Sequence, residues 1–519
     1  MKESLRQSMA LLHTWSGLLL GWLLFAMFAT GTAAYFQEEI TRWMQPEVIG
    51  EADPVASAQG AVRFLDKVSP NASSWYISLP DSRSATTQVY WQPAGGRPAK
   101  RGETSAVLDR EGHAITVRET RGGFFLYRFH FDLHYMPVYW ARYLVGVAAM
   151  FMLVAILSGI VTHKKIFADF FMLRFGKGQR SWLDAHNVTA VVALPFHLMI
   201  TFTGLVTLAS MYMPWGIAAN YASRAAFQEQ VFGREPPAGP SGTRAALVDL
   251  APLIRAASAG WDGKAVGYIS VTDPNDANAR IVLTRSPASA IGARGEMAAF
   301  AGATGRPLDA HTARGAALAT ESVMIGLHTG RFAQWGLRWL YFLSGLGGTI
   351  MVGSGLVLWT VKRRTRLPDP ARPHFGFRLV ERLNIATIAG LPTGIAVYFL
   401  ANRLLPAGLA ERADREIDSL FLAWLGVGIW AIVRPAARAW TEALVLAGAC
   451  FAAVPVVNAL TTSRGLAASV IGGDWLFVSF DLMMVLLAAC FFQAANKIVQ
   501  RRATGVTLPR RATREAVTQ

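Results

Sequence analysis

The residues in this chain that are best suited to do chemistry are histidines within or beside apolar segments. His186 and His197 stand 11 positions apart in segment 181–208, which is long and apolar enough to cross a bilayer. At about 100° per residue, this spacing returns both side chains to one helix face, roughly 16 Å apart along the axis. An ionisable side chain is costly in lipid, so we expect that face to look into protein. Inward-facing imidazoles on bundled helices bind haem iron or another metal, whereas the alternative is a hydrogen-bonded core histidine.

Histidines are concentrated around the first four apolar segments of the chain. Six of the ten lie at the ends or in the middle of the first four apolar segments, and none lies in the last four. This asymmetry assigns the chemistry to the first four helices. The candidates fall at two depths, near the cytoplasmic boundary and at the outer boundary, which predicts two redox centres. The six candidate ligands are His13, His134, His163, His186, His197 and His328.

A haem between helices takes its axial ligands from facing helices at similar depth. We therefore expect His13 to pair with His186, and His134 with His328. His163 and His197 are alternatives for either member, and His130, four residues before His134, is a rival outer ligand.

The second apolar segment offers a possible ligand at each end. His134 and His163 are 29 positions apart, so they share a helix face if Pro137 falls in the first helical turn. The remaining solvent-side residues, His113, His311 and His374, are predicted to be ordinary surface histidines.

Zinc and copper are rival occupants, and they favour several converging ligands that include Cys, Asp or Glu. Cys450 and Cys490 both fall in late apolar segments, so neither CxxCH haem attachment nor thiolate ligation is expected. Asp132 and Asp184 are interpreted as residues that orient an imidazole. The thiol-free, layered histidines favour b-type haem. Asp481 is a lone acid in the last apolar segment, suited to proton transfer or to helix packing.

The composition is that of a polytopic membrane protein. Hydrophobic residues make up 52% of the chain, charged residues 16%, and the mean hydropathy is +0.30. The net charge of +16 comes from Lys and Arg at the ends of apolar segments, which indicates membrane topology and contact with lipid rather than nucleic-acid binding. The chain lacks a GxGxxG after a strand, a Walker motif and HExxH. We therefore expect the electron donor to be a separate molecule.

The predicted fold is a polytopic α-helical membrane protein, with a four-helix haem-binding bundle, four extra C-terminal helices and two small α+β outer modules. Each module reads as a helix followed by three strands, which suggests an internal duplication. The predicted order is a first span (1–36), a module (37–136), a second span (137–163), a cytoplasmic loop (164–181), a third span (182–213), a second module (214–330), a fourth span (331–361), a cytoplasmic linker (362–380), four further spans (381–497) and a tail (498–519).

Basic residues set the predicted orientation. Lys and Arg cluster in segments 163–180 and 362–366, so these loops are expected in the cytoplasm and both modules in the periplasm. The first apolar segment is longer than that of a typical signal peptide, and cleavage near residues 32–34 would discard His13. It is therefore interpreted as an uncleaved anchor. Both termini are expected in the cytoplasm.

Four segments together resemble the PepSY-associated transmembrane helix family, and the modules are similar to PepSY domains. The segments are LLHTWSGLLLGWLLFAMFATG, ARYLVGVAAMFMLVAILSGIVTHKK, SWLDAHNVTAVVALPFHLMITFTGL and LHTGRFAQWGLRWLYFLSGLGGTIMVGSGLVLW, within about residues 1–366. The resemblance implies a bacterial inner-membrane protein of iron uptake, similar to haem-containing reductases that release iron from ferric siderophores. It makes the same six histidines candidate ligands. The four extra C-terminal spans depart from the shorter members.

The expected function is electron transfer through two b-type haems to a ferric siderophore or other ferric chelate held between the two periplasmic modules. No residue is assigned as catalytic. The donor is expected to be membrane quinol or a cytoplasmic reductase. Two alternatives stay open: a non-enzymatic, membrane-anchored regulator that binds a peptide or protease, and a permease for iron or a siderophore.

Overall fold

The computed structural model describes residues 5–49, 53–81, 83–84, 86–95, 104–162, 173–174, 176–232, 239–308, 315–370 and 372–503. The chain forms two compact units, residues 1–362 and 363–519. Seven of the described helices are long and apolar enough to cross a membrane, and an eighth span is formed if one bent helix pair is counted. The protein is therefore a polytopic helical membrane protein, as its composition predicts.

The first unit has three straight spans and one bent one. The straight spans are α1 (Leu5–Ala34), α5 (Val138–Thr162) and α13 (Trp335–Arg364). The bent span is α6 (Gln179–Val192) followed by α7 (Leu194–Thr207), with 68° between them. The prediction of one continuous third helix is wrong here, because Pro195 stands in the first turn of α7 and has no N–H to continue the ladder of α6.

Apolar side chains of α1, α5 and α13 form the core of this bundle. Met27 of α1, Met152 of α5 and Met351 of α13 are buried in one cluster. Two shorter helices pack against it: α4 (Gly122–Asp132) on α1, and α12 (Ala316–Thr329) on α7. These shorter helices matter because each carries a histidine into the bundle.

The segments between the spans form one antiparallel sheet with helices on it. The first segment contributes α2 (Gln37–Met44), α3 (Pro54–Val68), β1 (Ala72–Ser78), β2 (Thr87–Pro93) and β3 (Ser105–Leu108). The second contributes α8 (Ala209–Tyr212), α9 (Trp215–Asn220), α10 (Arg224–Phe232), α11 (Leu250–Gly260), β4 (Val266–Thr272), β5 (Arg280–Arg285), β6 (Met297–Ala301) and β7 (Pro307–Leu308). The strand order is β3-β2-β1-β4-β5-β6-β7.

The two predicted modules are joined through β1 and β4, which pair antiparallel with Trp75 opposite Val271. Both residues are fully buried in one core beneath α3 and α11. The expectation of a chelate held between two separate modules therefore does not fit, because hydrogen-bonded strands leave no cleft at that junction. The helix-then-strands order predicted for each half is present.

Local polar contacts fix the edges of this sheet domain. Asp53 caps α3 by accepting a hydrogen bond from the backbone N–H of Ala56. In a loop beside the second half, the Asp276 carboxylate accepts hydrogen bonds from the backbone N–H of Asn278, Ser241 and Gly242. These bonds favour the charged form and lower the pKa of Asp276 to about 2.

The second unit contains the four further spans that were predicted. The first runs from α14 (Phe375–Ile385) through a π-helical turn, Ala386–Gly390, into α15 (Leu391–Leu404). The others are α16 (Arg412–Val433), α17 (Ala436–Thr461) and α19 (Trp475–Ala503), with the short α18 (Leu466–Ile471) before the last.

A buried polar network connects these helices. Asp481 of α19 is a member of it rather than a lone acid, because its carboxylate accepts a hydrogen bond of 3.0 Å from the Asn458 amide. Asn458 also accepts from Arg403 at 2.9 Å. Arg412 and Glu416, both fully buried in α16, form an ion pair. Every one of these charges has a partner, so the network stabilises a specific packing of the four helices.

Candidate functional site

Four histidine rings lie in two pairs inside the first unit. The ring centroids of His13 and His186 are 6.1 Å apart, with 77° between the ring planes. Those of His130 and His328 are 6.2 Å apart, with 34° between the planes. Each pair joins two different helices, α1 with α6 and α4 with α12.

Every ring in these pairs is held by a backbone carbonyl. Nδ1 lies 2.8 Å from the carbonyl oxygen of Ala155 for His13, 2.8 Å from that of Met351 for His186, 2.6 Å from that of Met27 for His130, and 3.0 Å from that of Ile200 for His328. A carbonyl oxygen only accepts, so Nδ1 must carry the proton. In the neutral ring, Nε2 then keeps its lone pair, which is the form that ligates a metal.

A glycine lies one helical turn after each of these carbonyls. In a helix, the side chain of residue i+4 lies beside the carbonyl of residue i, and all four acceptors have glycine at that position. A Cβ atom at Gly31 or Gly204 would lie 2.8 Å from Cε1 of His130 or His328, respectively. The pairs of acceptor and glycine are Ala155 with Gly159, Met351 with Gly355, Met27 with Gly31, and Ile200 with Gly204.

These glycines are functional residues that sequence reasoning missed. The spacing signal is present, but the glycines read as generic contact points between membrane helices until the imidazoles are located. The contact is closest at Gly31 and Gly204, where a methyl group would lie 2.8 Å from the imidazole. At Gly355 it would lie 3.2 Å away, and at Gly159 3.4 Å, which is an ordinary contact.

The pair geometry fits one iron between two imidazoles. Metal–imidazole bonds are about 2.0 Å long, so one nitrogen from each ring could hold an iron ion placed between the two rings. The observed centroid distances are 6.1 and 6.2 Å. A cavity of about 410 Å³ adjoins the second pair, and its lining includes His130, His328, Gly31 and Gly204. That volume lies within the range of about 300–1,000 Å³ found for small-molecule and cofactor sites.

The two pairs lie at different depths. On α1, His13 and Met27, the acceptor for His130, are 14 residues apart, or about 21 Å along the helix. The cavity at the second pair is also lined by Arg83, from the loop between β1 and β2. The second pair therefore faces the sheet domain, and the first lies toward the opposite end of the bundle.

The predicted pairing of His134 with His328 is wrong. His134 is exposed, lies outside any helix, and its ring packs on Phe125 and Tyr135. The chain turns between α4 and α5 through positive φ angles at Leu133 and His134, just before Pro137. Because α5 begins only at Val138, His134 is not on its face, and the rival His130 on α4 is the residue beside His328.

The other two candidate ligands, His197 and His163, are not part of either pair among the described residues. His197 is buried, and its ring packs on Phe28 and Phe196. Its Nε2 lies 3.3 Å from the carbonyl oxygen of Ser344, while its Nδ1 has no hydrogen-bond partner among the described residues. His163 lies outside the described residues.

The aspartates predicted to orient an imidazole bind arginines instead. Asp132 pairs with Arg128 and Arg142, and Asp184 pairs with Arg174. Within the described part of the chain, no three His, Cys, Asp or Glu residues converge as they would on zinc or copper. The surface prediction is confirmed for His113 and His374, which are exposed, and His311 lies outside the described residues.

Comparison with known proteins finds a family match for the first unit. The chain matches the family model of the PepSY-associated TM region over residues 10–362. It is 27% identical over 384 residues to the uncharacterized protein PA4219 of Pseudomonas aeruginosa, in an alignment that covers 70% of this chain and 94% of that protein. The family match includes all four paired histidines and ends where the second unit begins.

Proposed function

Because this chain belongs to the PepSY-associated transmembrane family, we propose that it is an electron-transfer protein that binds two b-type haems and reduces a ferric chelate, such as a ferric siderophore. The observation that supports the proposal is the arrangement of four histidine rings in two pairs, with the Nδ1 of each ring held by a backbone carbonyl. His13 and His186 would hold one haem, and His130 and His328 the other.

Bound haem supplies one-electron chemistry, because its iron cycles between the ferric and ferrous states. The chain supplies the ligands and their surroundings. The backbone carbonyls fix ring orientation and raise the basicity of each imidazole, which is how a protein tunes ligation and potential. Met27 and Met351, whose carbonyls hold His130 and His186, belong to the apolar core of the bundle.

The sheet-facing pair is the one suited to meet the substrate. The cavity beside this pair extends to Arg83 of the sheet domain. The other pair lies toward the opposite end of the bundle. One electron converts each ferric ion to the ferrous state, and hard oxygen ligands hold the ferrous ion less tightly, so the chelate releases it. A quinol that gives up two electrons and two protons would reduce two ferric ions, and a cytoplasmic reductase is the alternative donor.

We place the protein in a bacterial inner membrane, with both termini in the cytoplasm and the sheet domain in the periplasm. The support is the basic cluster of residues 362–366 at the end of α13. Positive charge favours the cytoplasmic side, and the sheet domain precedes α13 and so lies across the bilayer from this cluster.

The test is the visible spectrum of the full-length protein in detergent before and after reduction with dithionite. We expect b-type bands and two haems per chain. His130→Ala and His328→Ala should each remove the same haem, and His13→Ala and His186→Ala the other. His134→Ala is the matched control and should keep both. A protein free of haem would refute the proposal.

Activity is measured in proteoliposomes, with a ferrous-specific dye on the side of the sheet domain and a quinol as donor. Reduction should require the donor and should fail in His130→Ala. Uptake of labelled chelate without a donor would instead indicate a permease, and peptide binding that survives all four histidine variants would indicate a regulator.

A further inference from the structure

The wall of the sheet-facing cavity is unusual in its charges. It is mainly apolar, but four arginines reach it, and among the described residues no Asp or Glu does. Apolar walls with only cationic polar ends suit a ligand that is largely apolar and carries negative charge at one side. The four are Arg83, Arg128, Arg142 and Arg331.

Three of these arginines already have carboxylate partners behind the wall. Arg83 forms an ion pair with Glu39, at 2.8 Å. Arg128 and Arg142 share Asp132, a buried residue at the end of α4. Their charges are largely used in holding α2, α4, α5 and the sheet domain together.

Arg331 is different. It is half-buried, lines the cavity, and makes no hydrogen bond or ion pair with any described residue. Gly330 ends α12 in the left-handed conformation, so Arg331 follows directly on the helix that carries His328, three residues away. A guanidinium has five donors in a fixed fork and accepts none, so an unpaired one beside a cavity calls for an anionic partner.

One acid, Glu38 of α2, has its pKa raised by burial, which is the largest influence on it. Glu38 also lies close enough to be influenced by the charges of Arg83 and Arg331, which lower its pKa. Glu38 is not part of the cavity wall.

We infer that this cavity binds its ligand through an anionic group, a carboxylate or phenolate, that is held by the Arg331 guanidinium at the sheet-facing end. The inference rests on the proposed function for the identity of the ligand. Two sources have the required chemistry: a propionate of the haem held by His130 and His328, or an acidic group on an incoming ferric chelate. Bidentate pairing of a carboxylate with arginine makes either contact strong and directional.

The experiment compares full-length Arg331→Gln with Arg331→Lys, which keeps the charge, and with Arg306→Gln. Arg306 is an exposed arginine of the sheet domain outside the cavity, so its variant makes the same charge change elsewhere. The first arm measures haem transfer to apomyoglobin. The second measures KM for ferric citrate, which is anionic, and for a neutral ferric trihydroxamate.

If a propionate is the partner, Arg331→Gln should lose haem at least about tenfold faster than Arg306→Gln, as expected for loss of one charge-assisted hydrogen bond. If the chelate is the partner, KM for ferric citrate should rise by a similar factor while KM for the neutral chelate stays constant. In either case Arg331→Lys should recover part of the effect. Equality of Arg331→Gln and Arg306→Gln in both arms would overturn the inference.

A third arm separates this inference from the proposed function. Protein produced without added haem is titrated with metal-free protoporphyrin and with its dimethyl ester, and porphyrin fluorescence is followed. Without iron there is nothing for the histidines to ligate, so binding reports the cavity and its charge. Weaker binding of the free acid, but not of the ester, by Arg331→Gln would support the anion site even in a protein that never carries haem. Equal binding of both porphyrins by wild type and variant would exclude a propionate as the partner, and an unchanged KM for ferric citrate would then exclude the anion site altogether.

Discussion

Replacing Gly31 with alanine tests whether the glycines really create the imidazole sites. A Cβ atom at this position would lie 2.8 Å from both Nδ1 and Cε1 of His130, where ordinary contacts begin at 3.4 Å. The rigid ring must therefore retreat by about 0.6 Å. This displacement of the ring lengthens the 2.6 Å hydrogen bond from Nδ1 of His130 to the Met27 carbonyl, which lies one helical turn before Gly31.

Two costs follow from this displacement. Adding a methyl group that overlaps a packed side chain, here the His130 ring, costs about 1–3 kcal/mol. A buried donor and acceptor that lose each other cost about 1–3 kcal/mol more. If only about 1.4–2.8 kcal/mol of this reaches the ligand bond, haem affinity at the His130 and His328 site falls about 10- to 100-fold.

The matched control is Gly17→Ala on the same helix, where a Cβ atom would meet no other atom within 4 Å. The assay is haem content per chain, together with the reduced visible spectrum and the midpoint of thermal unfolding in detergent. Gly31→Ala should lose one haem and unfold at lower temperature, while Gly17→Ala should match wild type. Full haem content and an unchanged spectrum in Gly31→Ala would refute the role given to glycine.

Three further predictions concern other parts of the molecule. His197→Leu should keep both haems and change the free energy of unfolding by less than about 1 kcal/mol, because removal of the buried, unpartnered Nδ1 offsets the loss of the 3.3 Å hydrogen bond from Nε2 to the Ser344 carbonyl. Loss of a haem in the spectrum would contradict this. Glu416→Gln should destabilise the second unit by about 3–5 kcal/mol because it leaves Arg412 buried beside a neutral side chain. The control, Glu442→Gln, removes a partly exposed ion pair and should cost about 0–1 kcal/mol. Equal shifts in the midpoint of thermal unfolding for the two variants would argue against a buried network. Asp276→Asn should destabilise the sheet domain near neutral pH, and the difference in stability from wild type should fade as pH falls from 3.8 to about 2. The reason is that a carboxylate with a lowered pKa stabilises the fold only while it is ionised. Hydrogen exchange at several pH values measures this difference, and a difference that stays constant with pH would contradict the prediction.

The amino-acid sequence determined where the chain crosses the membrane and which half holds the histidines. Apolar length is a local property, so the four spans predicted within residues 381–497 all appear as helices, including Arg412–Val433. The expected pairing of His13 with His186 agrees with the 6.1 Å between their ring centroids, while the alternative ligand His163 lies outside the described residues.

Only the tertiary structure decided the second pair and the shape of the outer domain. His130 and His134 are four residues apart, and the choice between them depends on the turn at Leu133, where positive φ angles end α4 and turn His134 out of the bundle. The single sheet arises from pairing between β1 and β4, which are nearly 200 residues apart in the chain. Likewise, a glycine four residues after a carbonyl becomes a binding feature only when a second helix brings an imidazole to it. Contacts between distant segments are set by packing, and no local pattern of residues encodes them.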